Sequence, residues 1–316
     1  MRAIQITNLN GPDEALQLVD IPEPEPSHML TPGSGVLVDV QAAGVSFPEV
    51  LQSRGEYQFK PDLPFVPGSE VGGVVRDTGQ RVAAFTFLGA FAEVAVAPEY
   101  MVFPIPDEWS YEQGAALVLN YHTAYFALKI RGRLAEGETV LVQGAAGGVG
   151  TASIQVAKGL GARVIGVVST DEKGQVARDA GADEVVRADG FKDAVKELGG
   201  ADVVLDPVGG DRFTDSLRSL REEGRLVVVG FTGGSIPEVR VNRLLLNNTD
   251  IVGAGWGAYV MSKPEVTRQI GEEIDKLIKT GFVRPPVGAS FPLEHAGEAL
   301  KLIDGRGATG KVVLTV

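Results

Sequence analysis

The sequence has no cysteine and only three histidines, His28, His122 and His295, in 316 residues. The first absence excludes disulfides and thiolate metal sites, and the histidines lie too far apart to share a ligand spacing. No run of about 18 apolar residues occurs, so no membrane-spanning helix is expected. The opening MRAIQITNLNGPDEAL lacks a basic patch, an apolar block and a small-residue cleavage site. It reads as a strand of the mature fold, and a cytoplasmic location is expected. Positive charge is scarce: 29 Lys and Arg stand against 41 Asp and Glu, a net charge of −12. That balance argues against a nucleic-acid surface, which needs clustered cations, but not against an anionic cofactor held by a few local ones.

The content that remains is that of a globular protein, with 44% hydrophobic and 22% charged residues, and the length suits two domains. Residues 1 to about 117 are rich in Val, Gly and Pro, with short alternating runs such as GVLVDV and FAEVAVAP, a strand-and-turn pattern without helix-length periodicity. From about 118 to 256 strands alternate with helices: TVLV, RVIGVV, EVV, DVVL, RLVVVG and DIVGAG are the strands. Six such units predict a parallel, doubly wound α/β sheet. Val149, Ala152, Val156, Ala157 and Leu160 form one apolar face of the first helix. Ser169-Thr-Asp-Glu172 has the form of a capping box opening the next, and Gly181 closes it. After 256 follow an amphipathic helix (about 264 to 279), an extended PPVGASFP, a helix around Leu293 to Ile303, and KVVLTV. One helix pair and a strand do not make a third domain, so the tail is expected to rejoin the first. The expected division is 1–119 with 257–316, and 120–256.

The stretch VLVQGAAGGVG (140–150) places a Gly-rich turn between a strand and an amphipathic helix. Such a turn gathers backbone N–H groups and the positive end of a helix dipole at one point, a site for a pyrophosphate. Gly144 serves the tight turn, Gly147 the close approach of the phosphates, and Gly150 the packing of helix on sheet. Ala145, Ala146, Gly148 and Val149 complete the cradle. The acid that binds the ribose 2′-hydroxyl of NAD is due about 20 residues on, where this chain has Ser169. A hydroxyl there, with Lys173 four residues later, favours NADPH over NADH.

Taken in order, GVSFPEVLQSRGEY, PFVPGSEVGGVV, TAYFAL, QGAAGGVG, DPVGG and ATGKVV resemble the zinc-independent quinone oxidoreductases of the medium-chain dehydrogenase/reductase superfamily, over essentially the whole chain. The resemblance implies a mostly β, GroES-like catalytic domain, split in sequence around a Rossmann-type cofactor domain, in a homodimer. Zinc-using members carry ligands where this chain has Ser46, Ser69 and Leu119, and serine and leucine do not hold Zn²⁺ at neutral pH. Without a Lewis acid an alcohol is hard to oxidise, whereas an electrophilic conjugated carbonyl can still accept a hydride. The resemblance therefore implies reduction of a quinone by NADPH. An enoyl or alkenal reductase needs the same geometry, and a cofactor-loaded scaffold or sensor, for instance on RNA, is an alternative of another class. A methyltransferase on a doubly wound fold does not match the six-strand pattern with a flanking domain.

By the same resemblance Tyr57 lines the nicotinamide and substrate pocket, Ser46 stands where the family usually has Asn, and Thr123 lies near the nicotinamide carboxamide. Lys173 and Arg306 surround the 2′-phosphate, while Gly230, Phe231 and Trp256 belong to segments beside the nicotinamide. A tyrosine typical near that phosphate is replaced by Ala188, with Arg187 beside it as a possible substitute. Asn120 and His122 fall near the expected site, and His122 is a candidate proton donor. Glu70 suits a backbone anchor or cation partner better than a base. Tyr125 and Lys129 have a Tyr-x-x-x-Lys spacing but precede the Gly-rich turn, so they are not expected to be a catalytic pair.

Overall fold

The computed structural model describes residues 1–316, which divide into two compact units, 1–119 with 285–316, and 120–284. No helix is long and apolar enough to cross a membrane.

In the first unit the strands Val287–Pro292, Lys311–Thr315, Val36–Val45, Glu70–Val75, Arg81–Phe85 and Val102–Pro104 lie in that order, and Val94–Ala97 pairs with Val36–Val45. All pairings are antiparallel except the first. Alternate side chains of these strands, among them Val38, Val40, Val71, Val82 and Val312, meet Phe91 and Leu300 in one core. The C-terminal KVVLTV thus completes the sheet begun by the N-terminal segment. Within the expected strand-and-turn region there is also a helix, Phe47–Gln52. Its six residues are too few to show a helical period.

The second unit carries a six-stranded sheet in the order Glu184–Arg187, Arg163–Val168, Thr139–Val142, Ala201–Asp206, Leu220–Val228, Asp250–Gly253. Every pairing is parallel. This is the doubly wound Rossmann order, in which the strand sequence reverses between Thr139–Val142 and Ala201–Asp206. Branched residues fill both faces of the central strands because helices cover both.

The second boundary corrects the expected division: the chain rejoins the first unit at Pro285, not at residue 257. The reason is packing. Helix Glu265–Lys279 buries Thr267, Ile270, Gly271 and Ile274, and a Cβ on Gly159 would stand only 2.7 Å from Leu277 Cδ2. This helix therefore lies against helix Gly148–Gly159, which is buried on more than the single face expected: Ser153 and Ile154 are as enclosed as Ala152 and Val156. A second correction concerns the cap of the next helix, Asp171–Asp179. Its N-cap is Thr170, whose Oγ1 accepts from the Lys173 N–H at 3.2 Å. Ser169, one residue earlier, stays at the strand end with its side chain exposed.

Candidate functional site

The Gly-rich turn follows strand Thr139–Val142 at the point where the strand order reverses. Gly144 has φ +61, a left-handed conformation that glycine adopts without strain. A Cβ on Gly150 would stand 2.2 Å from Gly144 O, so the helix can begin this close to the turn only with glycine there. Gly147 is the N-cap of helix Gly148–Gly159, and the first-turn amides of Gly148, Val149 and Gly150 have no acceptor within the helix. Ala145 and Ala146 are buried, and the Ala145 N–H donates to Val167 O at 3.1 Å, which pins the turn to the second strand.

Two further turns share this rim. Asp206, at the end of its strand, accepts from the N–H groups of Val208 (2.8 Å) and Gly209 (2.9 Å), and burial raises its carboxyl pKa. The loop after Leu220–Val228 is tied to this turn through Thr232 N–H to Pro207 O (3.1 Å) and Gly233 N–H to Val208 O (2.7 Å). Phe231 is half exposed, and its Cδ1 would lie 2.8 Å from a Cβ on Gly209. Gly144 approaches Val208 in the same way, at 3.3 Å to Cγ2. A Cβ on Gly147 or Gly230 would meet one carbonyl oxygen at 3.5 Å, and on Gly253 or Gly255 nothing within 4 Å. Bare backbone with room in front of it therefore runs along the strand ends, which is what a dinucleotide needs, and the residues present fit one.

Helix Val118–Tyr125 lies along the start of the Gly-loop helix: Asn120 Nδ2 would be 2.6 Å from a Cβ on Gly148. Thr123, three residues on and 8% exposed, shares that face. His122 is fully buried, edge-on to Trp256 with ring centroids 5.4 Å apart, and burial lowers its pKa to about 3. Its imidazole is neutral at physiological pH, which removes an imidazolium as the proton donor. Trp256 is itself a core side chain, so its segment offers a ligand the backbone of Gly255 and Gly257 rather than the indole. Lys129 Nζ donates to Leu134 O at 3.2 Å while Tyr125 packs in the core; they act as structural residues.

At the end of the second strand Ser169 is exposed and Lys173 half-buried. Arg187 is not unengaged there: its Nη1 pairs with Asp171 Oδ1 at 3.0 Å. Arg306 belongs to the other unit, exposed at φ +56.

The first unit holds a second, buried constellation around Ser46 and Ser69. Lys311 Nζ donates to Ser46 Oγ at 2.6 Å and to Glu70 Oε1. Glu70 Oε2 accepts from the Leu119 N–H at 2.8 Å, so Glu70 anchors backbone and pairs with a cation, as its position in the sequence suggested. Ser69 Oγ donates to Glu49 Oε1 (2.9 Å) and the Ser46 N–H to Glu49 Oε2 (2.9 Å). Burial pushes the Glu49 carboxyl up to about 7, against the opposing pull of Lys311 and these hydrogen bonds. Tyr57 is half-buried, and burial, with Glu49 adding to it, raises its hydroxyl pKa. Glu49 and Lys311 were not singled out from the sequence. The S-x-x-E spacing of Ser46 to Glu49 is a helix-start signal that points to the first; nothing local points to the second.

A Rossmann sheet with a Gly-rich phosphate turn, in one chain with a mostly antiparallel β unit, defines a dinucleotide-dependent oxidoreductase architecture. Residues 32–107 match the alcohol dehydrogenase GroES-like domain and residues 148–274 the zinc-binding dehydrogenase domain. The chain is 40% identical to mouse quinone oxidoreductase-like protein 2 over 89% of its length and 85% of that protein's. It is 34% identical to mouse quinone oxidoreductase, over 99% and 97%. The Thermus thermophilus quinone oxidoreductase, solved alone and with NADPH, superimposes with a TM-score of 0.83 at 35% identity, with both chains fully covered. The chain belongs to the quinone oxidoreductase family of the medium-chain dehydrogenase/reductase superfamily.

Proposed function

We propose that this protein reduces quinones with NADPH: quinone, NADPH and one proton give hydroquinone and NADP⁺. The observation that carries the reading is the donor set at Ser46, Ser69 and Leu119. The Ser46 oxygen already accepts from the Lys311 ammonium, the Ser69 hydroxyl is turned to Glu49, and Leu119 offers only its N–H, to Glu70. An ammonium in contact with Ser46 repels a divalent cation, and none of the three side chains is a zinc donor. A reaction that must stabilise an alkoxide is disfavoured there, whereas a quinone spreads the incoming charge over its own ring.

NADPH, when bound, supplies the hydride. The remaining tasks fall to the chain. The amides of the turn Gly144–Gly147 and of Gly148, Val149 and Gly150 hold the pyrophosphate; Ser169 and Lys173 receive the 2′-phosphate, where a carboxylate would repel it. Thr123 and the Gly230–Phe231 and Trp256 segments border the nicotinamide, and Tyr57 and Ser46 offer hydroxyls to the acceptor.

A homodimer is part of the same reading. Strand Asp250–Gly253 ends its sheet, paired only with Leu220–Val228. In the segment that leads to this strand Ile236, Val241, Leu245 and Leu246 are 73–78% exposed; an open edge and exposed apolar side chains are features that a second copy covers.

Steady-state turnover with 1,4-benzoquinone, 9,10-phenanthrenequinone and trans-2-enals tests the substrate class. Quinone turnover is expected; strong turnover of enals with none of quinones would overturn the reading in favour of an alkenal reductase.

A further inference from the structure

In the buried cluster of the first unit, every carboxylate oxygen is matched to a donor. Glu49 Oε1 takes Ser69 Oγ–H and Oε2 the Ser46 N–H; Glu70 Oε1 takes Lys311 and Oε2 the Leu119 N–H. None of them takes the hydroxyl proton of Ser46. An ammonium has donors and no acceptor, so the 2.6 Å contact from Lys311 occupies a lone pair of Ser46 Oγ and leaves its O–H uncommitted. Glu49, Ser69, Glu70 and Lys311 are all buried, and Ser46 alone among the five is only half-buried. Ser46 is thus the one member of the cluster that is not buried, and its hydroxyl is in contact with a cation. A hydroxyl that accepts from a cation is polarised and donates more strongly.

We propose that Lys311 is a positioning residue that primes Ser46 as the hydrogen-bond donor to the acceptor oxygen on which negative charge develops. Glu49 fixes the Ser46 backbone and Glu70 holds the Lys311 ammonium in place. This rests on the reading of the acceptor as a conjugated carbonyl. The advantage of such a donor grows with the basicity of the oxygen it serves, which a purely structural role for Lys311 would not produce.

Substituted phenolates carry the same kind of oxygen as a hydroquinone monoanion, and their absorbance reports binding without any turnover. Their affinities are to be measured across a range of phenolate basicity, with saturating NADP⁺ whose own binding is read separately. Three forms are compared: wild type, Ser46→Ala, and the double variant Glu70→Gln/Lys311→Met, which removes the buried cation together with its counter-ion so that neither is left alone. Wild-type affinity is expected to rise with phenolate basicity. Both variants are expected to flatten that slope and lose about tenfold or more for the most basic phenolate, and combining all three substitutions adds no further loss. An unchanged slope in Ser46→Ala, additive losses in the combined variant, or no phenolate binding by the wild type would each overturn the proposal. If wild-type quinone turnover persists in any of those cases, the quinone reading stands without it; if quinone turnover is absent while the phenolate slopes behave as stated, it is the quinone reading that has failed.

Discussion

Arg187 Nη1 lies 3.0 Å from Asp171 Oδ1, at the end of the second Rossmann strand and beside Ser169 and Lys173. The pair faces solvent, with Asp171 almost fully exposed. Arg187 therefore comes to any phosphate there with a carboxylate attached, and the absence of an acid at position 169 is partly offset by one two residues later. Replacing Asp171 with Asn should release the guanidinium and lower the Michaelis constant for NADPH by a few-fold, in line with about 0.2–1 kcal/mol for an exposed ion pair. The constant for NADH should not change. Parallel titrations with the two cofactors check this.

Lys173 sits in the first turn of helix Asp171–Asp179. Lys173→Ala is expected to raise the Michaelis constant for NADPH about tenfold, the order of a lost charge-assisted hydrogen bond, with little effect on NADH. Ser169→Asp should tilt preference toward NADH, since it repels the 2′-phosphate and offers an acceptor to the ribose. Equal effects on both cofactors would move the phosphate pocket elsewhere.

The buried Glu49 makes stability depend on pH. Its carboxyl is raised from 4.5 to about 7, so between these values the folded protein holds a proton that the unfolded chain has released. The contribution is complete below about pH 4.5, declines as the pH rises to about 7 and is gone above. At roughly 1.4 kcal/mol per tenfold change in proton affinity, the loss across the window is about 3 kcal/mol. Glu49→Gln should remove this slope. Urea unfolding of both proteins at pH 5 and pH 7.5 measures it; parallel losses would assign the dependence to other groups.

Leu245 and Leu246 lie in helix Asn242–Asn247, about three quarters exposed. The wild type is expected to sediment as a dimer and a Leu245→Glu/Leu246→Glu variant as a monomer. Its fold should be intact, because neither side chain contributes to a buried core. A wild type that is monomeric at micromolar concentration would contradict the assigned surface.

What could be read from the sequence follows the range of the interactions concerned. The six strands and the turn at Gly144 to Gly150 announce themselves because branched runs, positive φ and close helix packing are local demands. The helix Glu265–Lys279 was legible as a helix but not as a member of the second unit: an amphipathic face does not name its partner, and only Leu277 against Gly159 does. Ser169 and Thr170 are both capping residues; the capping-box pattern points to Ser169, whereas the Lys173 N–H donates to Thr170. Lys311 and Glu70 are 241 residues apart, and no periodicity or spacing joins them. This buried cluster is thus the least legible part of the chain, although two of its members, Ser46 and Ser69, stand where zinc-using relatives have ligands.

The central claim is direct hydride transfer from NADPH to a quinone without metal assistance. It is tested most directly by the rate of 9,10-phenanthrenequinone reduction with NADPH and with NADPH deuterated at the nicotinamide C4, each with and without a strong chelator. The expected result is a primary isotope effect on a rate that the chelator leaves unchanged. Activity abolished by the chelator and restored by zinc, or no oxidation of NADPH at all, would contradict it.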